Sequence, residues 1–246
     1  MKTNVMKTNY TIAAAVILAS LSSAVAANFP YFQNFDSMGT TGTTMPLGWS
    51  VWYIPGSSSS STPPTSAEMA AANIGVQQLN VWNQGNTPDA WSQQAGNMGL
   101  SPSPFPNRLL GTSPTGTRGS ILELSLNNDT GAAIDTVKLS YDMVTMTPPP
   151  DAELPGYSFY YLDGSTWTPF PGLNLTDTGT VSAVITYANP VANGGTLEFR
   201  WFDDNSSASS PDAMIAIDNV LIIPEPATLG LLAVGALALI SRRRKA

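Results

Sequence analysis

The chain has 246 residues, of which 43% are hydrophobic and only 11% are charged. This length fits one ordinary domain with extra segments, and the apolar fraction is enough for a packed core. Because the sequence has neither Cys nor His, it excludes disulfides, thiol nucleophiles, Ser-His-Asp triads and metal sites built on Cys or His. Residues 28–223 carry four cations against sixteen acids. Such a body repels phosphates, so we expect no nucleic-acid partner.

Residues 1–27 have the pattern of a secretory signal peptide. Lys2 and Lys7 give a basic start, and residues 12–25 form an apolar run. Small residues at positions 24–27 then offer a cleavage site. These features in this order predict a signal helix that directs export and is removed by signal peptidase. A buried or membrane-spanning helix is the alternative.

Residues 28–223 are predicted to form one all-β domain. Alternation of apolar and polar residues with period two, broken by turn residues, indicates strands. The clearest strands are expected at residues 120–126, 136–144, 157–162, 167–170, 180–186, 196–202 and 213–222. Weaker patterns predict strands at 29–35 and 48–53, a short helix within 67–79 and a surface loop at 55–64. This arrangement favours an antiparallel β-sandwich of the jelly-roll kind.

Three short blocks of the body resemble the jelly-roll modules of secreted bacterial surface proteins. The blocks are residues 33–40 with 46–49, residues 108–111 with 120–124, and residues 197–204 with 215–220. The resemblance implies a sandwich similar to lectin, MAM-type and carbohydrate-binding domains. In that family a second Asp often stands where this chain has Asn219.

An acidic set is the best candidate for a ligand site in the body. In a jelly roll the first and last strands often lie side by side, which brings Asp36 towards Asp218 or Asn219. Calcium takes six to eight oxygen ligands from carboxylates, amides and carbonyls. We therefore predict a calcium site drawn from Asp36, Asp203, Asp204, Asp218 and Asn219. The alternative is a solvated turn in which Asp218 caps the end of a strand.

Tryptophan side chains are either core residues or platforms for sugar rings. Trp49 and Trp201 lie in strand patterns and are predicted to be core residues. Trp82 and Trp91 lie in a polar stretch and are the candidates for ligand binding. A pair among the sixteen acids would suit a glycoside hydrolase, but no catalytic motif supports one. We expect a protein that is not an enzyme.

The chain ends in three parts with a fixed order. Pro224, Glu225 and Pro226 come first, the apolar residues 227–240 follow, and Arg242, Arg243 and Arg244 come last with a lysine behind them. As a helix the apolar run spans roughly 21 Å, which is shorter than the hydrocarbon core of roughly 30 Å. Snorkelling of the arginine side chains and local thinning of the bilayer close this difference. The basic cluster belongs on the cytoplasmic side, so the body faces outward. A plain tail anchor is the alternative to a processed one.

These three parts closely resemble the PEP-CTERM sorting signal of Gram-negative bacteria. The resemblance implies recognition by an exosortase near the Pro-Glu-Pro element, transient anchoring in the inner membrane, and release or transfer to the cell surface or extracellular matrix. Together these expectations describe a signal peptide (1–27), a β-sandwich (28–223) and a sorting signal (224–246). The expected role is structural or adhesive, within the envelope or an exopolysaccharide matrix. A calcium-dependent carbohydrate-binding module is the alternative, and a glycoside hydrolase is third.

Overall fold

Two β-sheets, packed face to face, form the body of the protein. The structure is a computed structural model, and it describes residues 25–26, 29–39, 43–56, 62–75, 80–82, 99–102, 107–114, 116–147, 154–205 and 214–225. Within these ranges the strands are β1 (Val25–Ala26), β2 (Tyr31–Gln33), β3 (Trp49–Ile54), β4 (Asn73–Ile74), β5 (Asn80–Trp82), β6 (Gly99–Pro102), β7 (Leu110–Thr112), β8 (Gly119–Asn127), β9 (Ile134–Thr147), β10 (Ser158–Asp163), β11 (Thr166–Pro169), β12 (Gly179–Val191), β13 (Thr196–Asp204) and β14 (Met214–Pro224). One α-helix, α1 (Ser66–Ala70), and two 3-10 helices, Asp36–Met38 and Pro171–Leu173, complete the described elements.

The strand order confirms the predicted all-β sandwich. The first sheet runs β11-β10-β13-β8-β3-β4, with β1 beside β8. The second runs β12-β9-β14-β7-β6-β5, with β2 beside β14. Most pairs are antiparallel, whereas β1 with β8 and β5 with β6 are parallel. Strand β2, which opens the sandwich domain, therefore lies against β14, which closes it, as the sequence predicted.

The core between the sheets is built around Trp201. Its indole stacks on Trp49 at 5.4 Å and receives edge contacts from Phe159 at 5.2 Å and Tyr141 at 5.8 Å. Such aromatic pairs add stability beyond the area that they bury. Trp201 is fully buried and Trp49 is 6% exposed, which confirms that both are core residues.

Helix α1 covers part of the outer face of the first sheet. Thr65 and Glu68 form a reciprocal capping box that begins the helix. Met69 packs into a second apolar cluster with Trp52, Ile121 and one residue each of β10, β11 and β13. The short helix expected within residues 67–79 is confirmed; it begins one residue earlier, at Ser66, and ends at Ala70, and β4 begins at Asn73. After the helix the chain returns to the first sheet, because β4 pairs with β3.

Neither end of the chain adds a described helix. Of residues 1–27 only Val25–Ala26 lies within the described part, and the predicted membrane helix at 227–240 lies outside it. In the ranges that the structure describes, no helix is both long and apolar enough to span a bilayer.

Candidate functional site

The pairing of β2 with β14 brings Asp36 towards Asp218. Gln33 lies opposite Val220 in this ladder, and the 3-10 helix that starts at Asp36 follows directly. The charge of Asp36 acts on Asp218 and raises its pKa. The ladder thus places Asp218 on the strand next to the one that leads into Asp36, as the first and last strands of a jelly roll predict.

The strand irregularity at Asn219 shapes the site. The register of β14 against β9 shifts between Asp218 and Leu221, and Asn219 has a φ of 49°, a conformation that Asn tolerates better than most residues. In this conformation Asn219 N–H donates to Oδ1 of Asp218 at 2.8 Å. Its side-chain amide donates to Oδ2 of Asp142 at 2.7 Å. Asn219 thus lies between two carboxylates and donates to both.

Asp142 is the functional candidate that the sequence analysis missed. It lies directly opposite Asp218 in the β9–β14 ladder, where like charges destabilise a sheet. Thr180 on β12 donates its hydroxyl to Oδ1 of Asp142 at 2.5 Å. The sequence does show an Asp at an outward position of an alternating strand, which could have marked Asp142 as a candidate. However, nothing in the sequence gives the register that places Asp142 of β9 opposite Asp218 of β14.

The fold raises the pKa of the Asp218 carboxyl. Its pKa is raised to about 6, chiefly by burial and also by the charges of Asp36 and Asp142, although hydrogen bonds from the backbone of Asn219 and from Asn107 act in the opposite direction. A raised pKa in a group of carboxylates is typical of a functional or cation-binding region, although structural clusters also produce it.

Asp36 is fixed by donors from two parts of the chain. Its Oδ1 accepts the backbone N–H of Arg108 at 3.0 Å, and its Oδ2 accepts the side-chain amide of Asn34 at 2.8 Å. Among the described residues no three acidic side chains meet closely enough to form a metal-binding group. Calcium binding by Asp36, Asp218 and Asn219 remains a prediction.

Asp203 and Asp204 lie at the end of β13, in the interior, and not in a solvated turn. Both are 1% exposed. Asp203 accepts the Thr112 hydroxyl at 2.6 Å, which joins the two sheets, and Asp204 accepts the Leu154 N–H at 2.9 Å. The charges that raise the pKa of Asp218 are those of Asp36 and Asp142. Asp203 and Asp204 do not contribute to this shift. The expected five-residue set is therefore divided: the structure joins Asp36, Asp218 and Asn219, and it gives Asp203 and Asp204 other partners.

The candidate sugar platforms fall largely outside the described residues. Trp82 ends β5, of which only the backbone is described, and Trp91 lies outside the described ranges. Their role in ligand binding remains a prediction.

The end of β14 carries the beginning of the C-terminal pattern. Pro224 lies opposite Val137, and Glu225 N–H donates to the carbonyl of Thr136 at 2.9 Å. A cavity of about 480 Å³ lies beside this end, lined by residues that include Phe29, Ile134 and Ile223.

Residues 223–245 match the PEP-CTERM protein-sorting motif. This motif implies an exported protein that an exosortase sorts, and it confirms the resemblance seen in Pro224, Glu225 and Pro226. Pro226, Arg242, Arg243 and Arg244 lie outside the described residues.

A comparison with solved structures finds partial matches to several proteins. The carbohydrate-binding module TmCBM61, solved with β-1,4-galactotriose, matches 48% of this chain and 72% of its own, at 8% identity and a TM-score of 0.32. The Stig cyclase Fisc from Fischerella sp. TAU matches 83% and 100%, at 16% identity and a TM-score of 0.43. The module CBM51 from Clostridium perfringens, solved with methyl-galactose, matches 47% and 70%, at 18% identity and a TM-score of 0.26. No curated protein matches the sequence.

Proposed function

We propose that this protein is a structural or adhesive component of the cell surface or exopolysaccharide matrix, delivered by exosortase sorting. The observation that supports it is the continuity of β14 with the sorting motif: Ile223 and Pro224 belong to both. The sandwich domain therefore continues directly into the sorting signal. The proposed course is export after signal peptidase acts on residues 1–27, transient anchoring in the inner membrane through residues 227–240, and then release or transfer outward.

The arginines at the end of the tail test the sorting part of this proposal. Replacing Arg242, Arg243 and Arg244 by Ser removes three of the four positive charges that hold the tail end in the cytoplasm. We expect the variant to be lost from the surface fraction, because the tail is no longer positioned for processing. Replacement by three Lys is the matched control, since it keeps the charge. Mass spectrometry of the surface protein is the readout, and an intact Pro-Glu-Pro tail on surface protein from the original chain would overturn the proposal.

A calcium-dependent carbohydrate-binding module is the second candidate. The observation that favours it is the meeting of Asp36 and Asp218, with Asn219 between Asp218 and Asp142. Calcium bound only by the folded state stabilises it by RT ln(1 + [L]/Kd), about 2.7 kcal/mol at a hundredfold excess over Kd. We expect calcium to raise the melting temperature of the original protein and not that of Asp218→Asn. An Asp177→Asn variant, changed at an exposed turn, controls for the loss of one charge. Equal calcium shifts in all three proteins would argue against a site at Asp218.

Sugar binding and hydrolysis are tested on the same protein. A binder changes its tryptophan fluorescence when polysaccharide is added, whereas the structural role that we propose predicts no change. We propose no enzymatic activity. Release of reducing ends from an exopolysaccharide, abolished by one carboxylate substitution, would contradict that part of the proposal.

A further inference from the structure

Apolar side chains and one lysine lie together on the outer face of the second sheet. In the ladders, Ile223 lies opposite Lys138 and Lys138 opposite Val184. Leu221, two residues before Ile223, lies opposite Phe32. Phe32 is 56% exposed, Val184 45% and Ile223 36%. We call these five side chains the Lys138 face. A continuous group of exposed apolar residues is typical of an interaction surface.

Lys138 is the exposed cation of the acidic body. Residues 28–223 contain four cations, and all four are described. Arg108, Arg118 and Arg200 are buried, at 0%, 8% and 5% exposure, whereas Lys138 is exposed. The face therefore combines apolar contact with the body's exposed positive charge, which complements an anionic surface.

The Lys138 face lies close to the point where the chain leaves the body. The last described contact is the hydrogen bond from Glu225 N–H to Thr136, and Thr136 is two residues from Lys138. Pro226 then separates Glu225 from the apolar run that starts at residue 227. Two residues of extended chain span roughly 7 Å. If the tail is inserted, this part of the sandwich is at the surface of the bilayer.

From these three observations we infer that the Lys138 face lies on the anionic surface of the inner membrane while the tail is inserted. The inference rests on the proposed function, which places residues 227–240 in the membrane. Basic and apolar side chains together are what binds proteins to anionic bilayer surfaces. Because the tail holds the body at the bilayer, the face meets the lipid at a high effective concentration, and a weak attraction is enough to set the orientation.

Charge decides which part of the body turns to the membrane. The end of the sandwich from which the tail emerges also carries Asp129 in the turn after β8, Asp163 at the end of β10, and Glu225. Anionic lipids repel these carboxylates. Asp142 lies four residues from Lys138 on the same side of β9, and Asp218 lies opposite it. The part of the outer face around Lys138, and neither its acidic far part nor the end of the sandwich, is therefore expected to contact the bilayer.

Single-cysteine labelling tests this orientation, because the natural chain has no Cys. Thr186→Cys places a dye beside Val184 on the same face of β12, and Ala70→Cys places it on α1, which covers the outer face of the other sheet. The full chain is reconstituted in phosphatidylcholine vesicles with and without phosphatidylglycerol, and quenching by lipid-borne bromine is measured. We expect strong quenching at position 186 in anionic vesicles and little at position 70. Lys138→Gln is expected to weaken the position-186 contact by about fivefold, the effect of one lysine at an anionic surface.

The outcomes separate this inference from the proposed function. If the protein does not float with the vesicles, membrane anchoring by the tail is wrong. If it floats but quenching is equal at the two positions, or absent at both, the orientation is wrong while anchoring stands. Self-quenching of the position-186 dye that requires no lipid would show that a second copy of the chain covers this face, which also overturns the inference.

Discussion

At the scale of the single residue, the carboxyl of Asp218 gives the protein a pH dependence with a definite sign. Its pKa is about 6 in the fold, against a value of 3.8 for an ordinary Asp. The charged form is therefore disfavoured in the native state, and this penalty is present above pH 6 and disappears as the pH falls from 6 towards 4. A shift of this size corresponds to at most about 3 kcal/mol.

The prediction concerns the difference between the original protein and Asp218→Asn, measured in chelator. We expect Asp218→Asn to be more stable at neutral pH, because the amide keeps the acceptor for Asn219 N–H without the charge. The advantage is expected to shrink as the pH falls below 6. Thermal unfolding of both proteins across this range checks it, and two parallel stability curves would show that Asp218 titrates normally.

A second residue-scale prediction concerns the buried ion pair of the first sheet. Arg200 Nε donates to Oε2 of Glu123 at 2.7 Å, and its guanidinium lies 4.1 Å from the ring centre of Trp167 and 4.8 Å from that of Trp52. Removing one partner leaves a buried charge, which costs about 3 kcal/mol or more. We expect Glu123→Gln to lose this amount in urea unfolding, and Glu123→Gln with Arg200→Met to lose less than the two single variants together. Strict additivity would show that the pair is not coupled.

At the scale of the element, the start of β8 depends on a close approach of two backbones. A Cβ added at Gly119 would lie 2.3 Å from the carbonyl oxygen of Asp203 and 2.5 Å from the ring of Phe202. Gly119→Ala is therefore expected to destabilise the sandwich by about 3 kcal/mol, at the upper end of overpacking costs. Gly179→Ala is the control, because a Cβ at Gly179, which starts β12, has nothing within 4 Å. Equal stabilities of the two variants, from denaturant unfolding, would contradict the close approach.

The strands were predictable because most of them are buried on one face. The observed β9 and β12 extend the predicted strands by one to five residues at each end, and β14 starts one residue later and ends two residues later than predicted. Alternation fails for β8, whose side chains from Gly119 to Leu126 are buried on both faces. Glu123 has the appearance of a solvated position in the sequence, yet it is 1% exposed, because α1 covers that face. Covering by a distant segment leaves no local mark in the sequence.

The candidate site was only half predictable for the same reason. That Asp36 and Asp218 meet follows from the neighbouring first and last strands of a jelly roll. That Asp142 joins them depends on the exact register of β9 with β14 and on the shift at Asn219, which no periodicity encodes. Asp203 and Asp204 were predicted as calcium ligands, with a solvated turn as the alternative, because the predicted strand ended at residue 202. Pairing with Ser120 and Gly119 continues β13 to Asp204 and buries both.

At the scale of the whole molecule, removal of the sorting signal is expected to leave the sandwich folded. The last fully buried side chain of β14 is Ile222, just before the matched motif begins at residue 223. What a body ending at residue 223 loses is the pairing of Pro224 with Val137 and the hydrogen bond from Glu225 to Thr136, and one such bond contributes about 1 kcal/mol. A body of residues 28–223 is therefore expected to unfold cooperatively in denaturant, about 1 kcal/mol less stable than residues 28–225. A body ending at residue 219 also loses Val220 and Ile222, both 0% exposed, and is expected to lose several kcal/mol, since each large core side chain contributes about 2–5 kcal/mol. If residues 28–223 fail to fold while residues 28–225 fold, the first residues of the sorting motif are part of the structural domain, and processing at that point would unfold the protein that it releases.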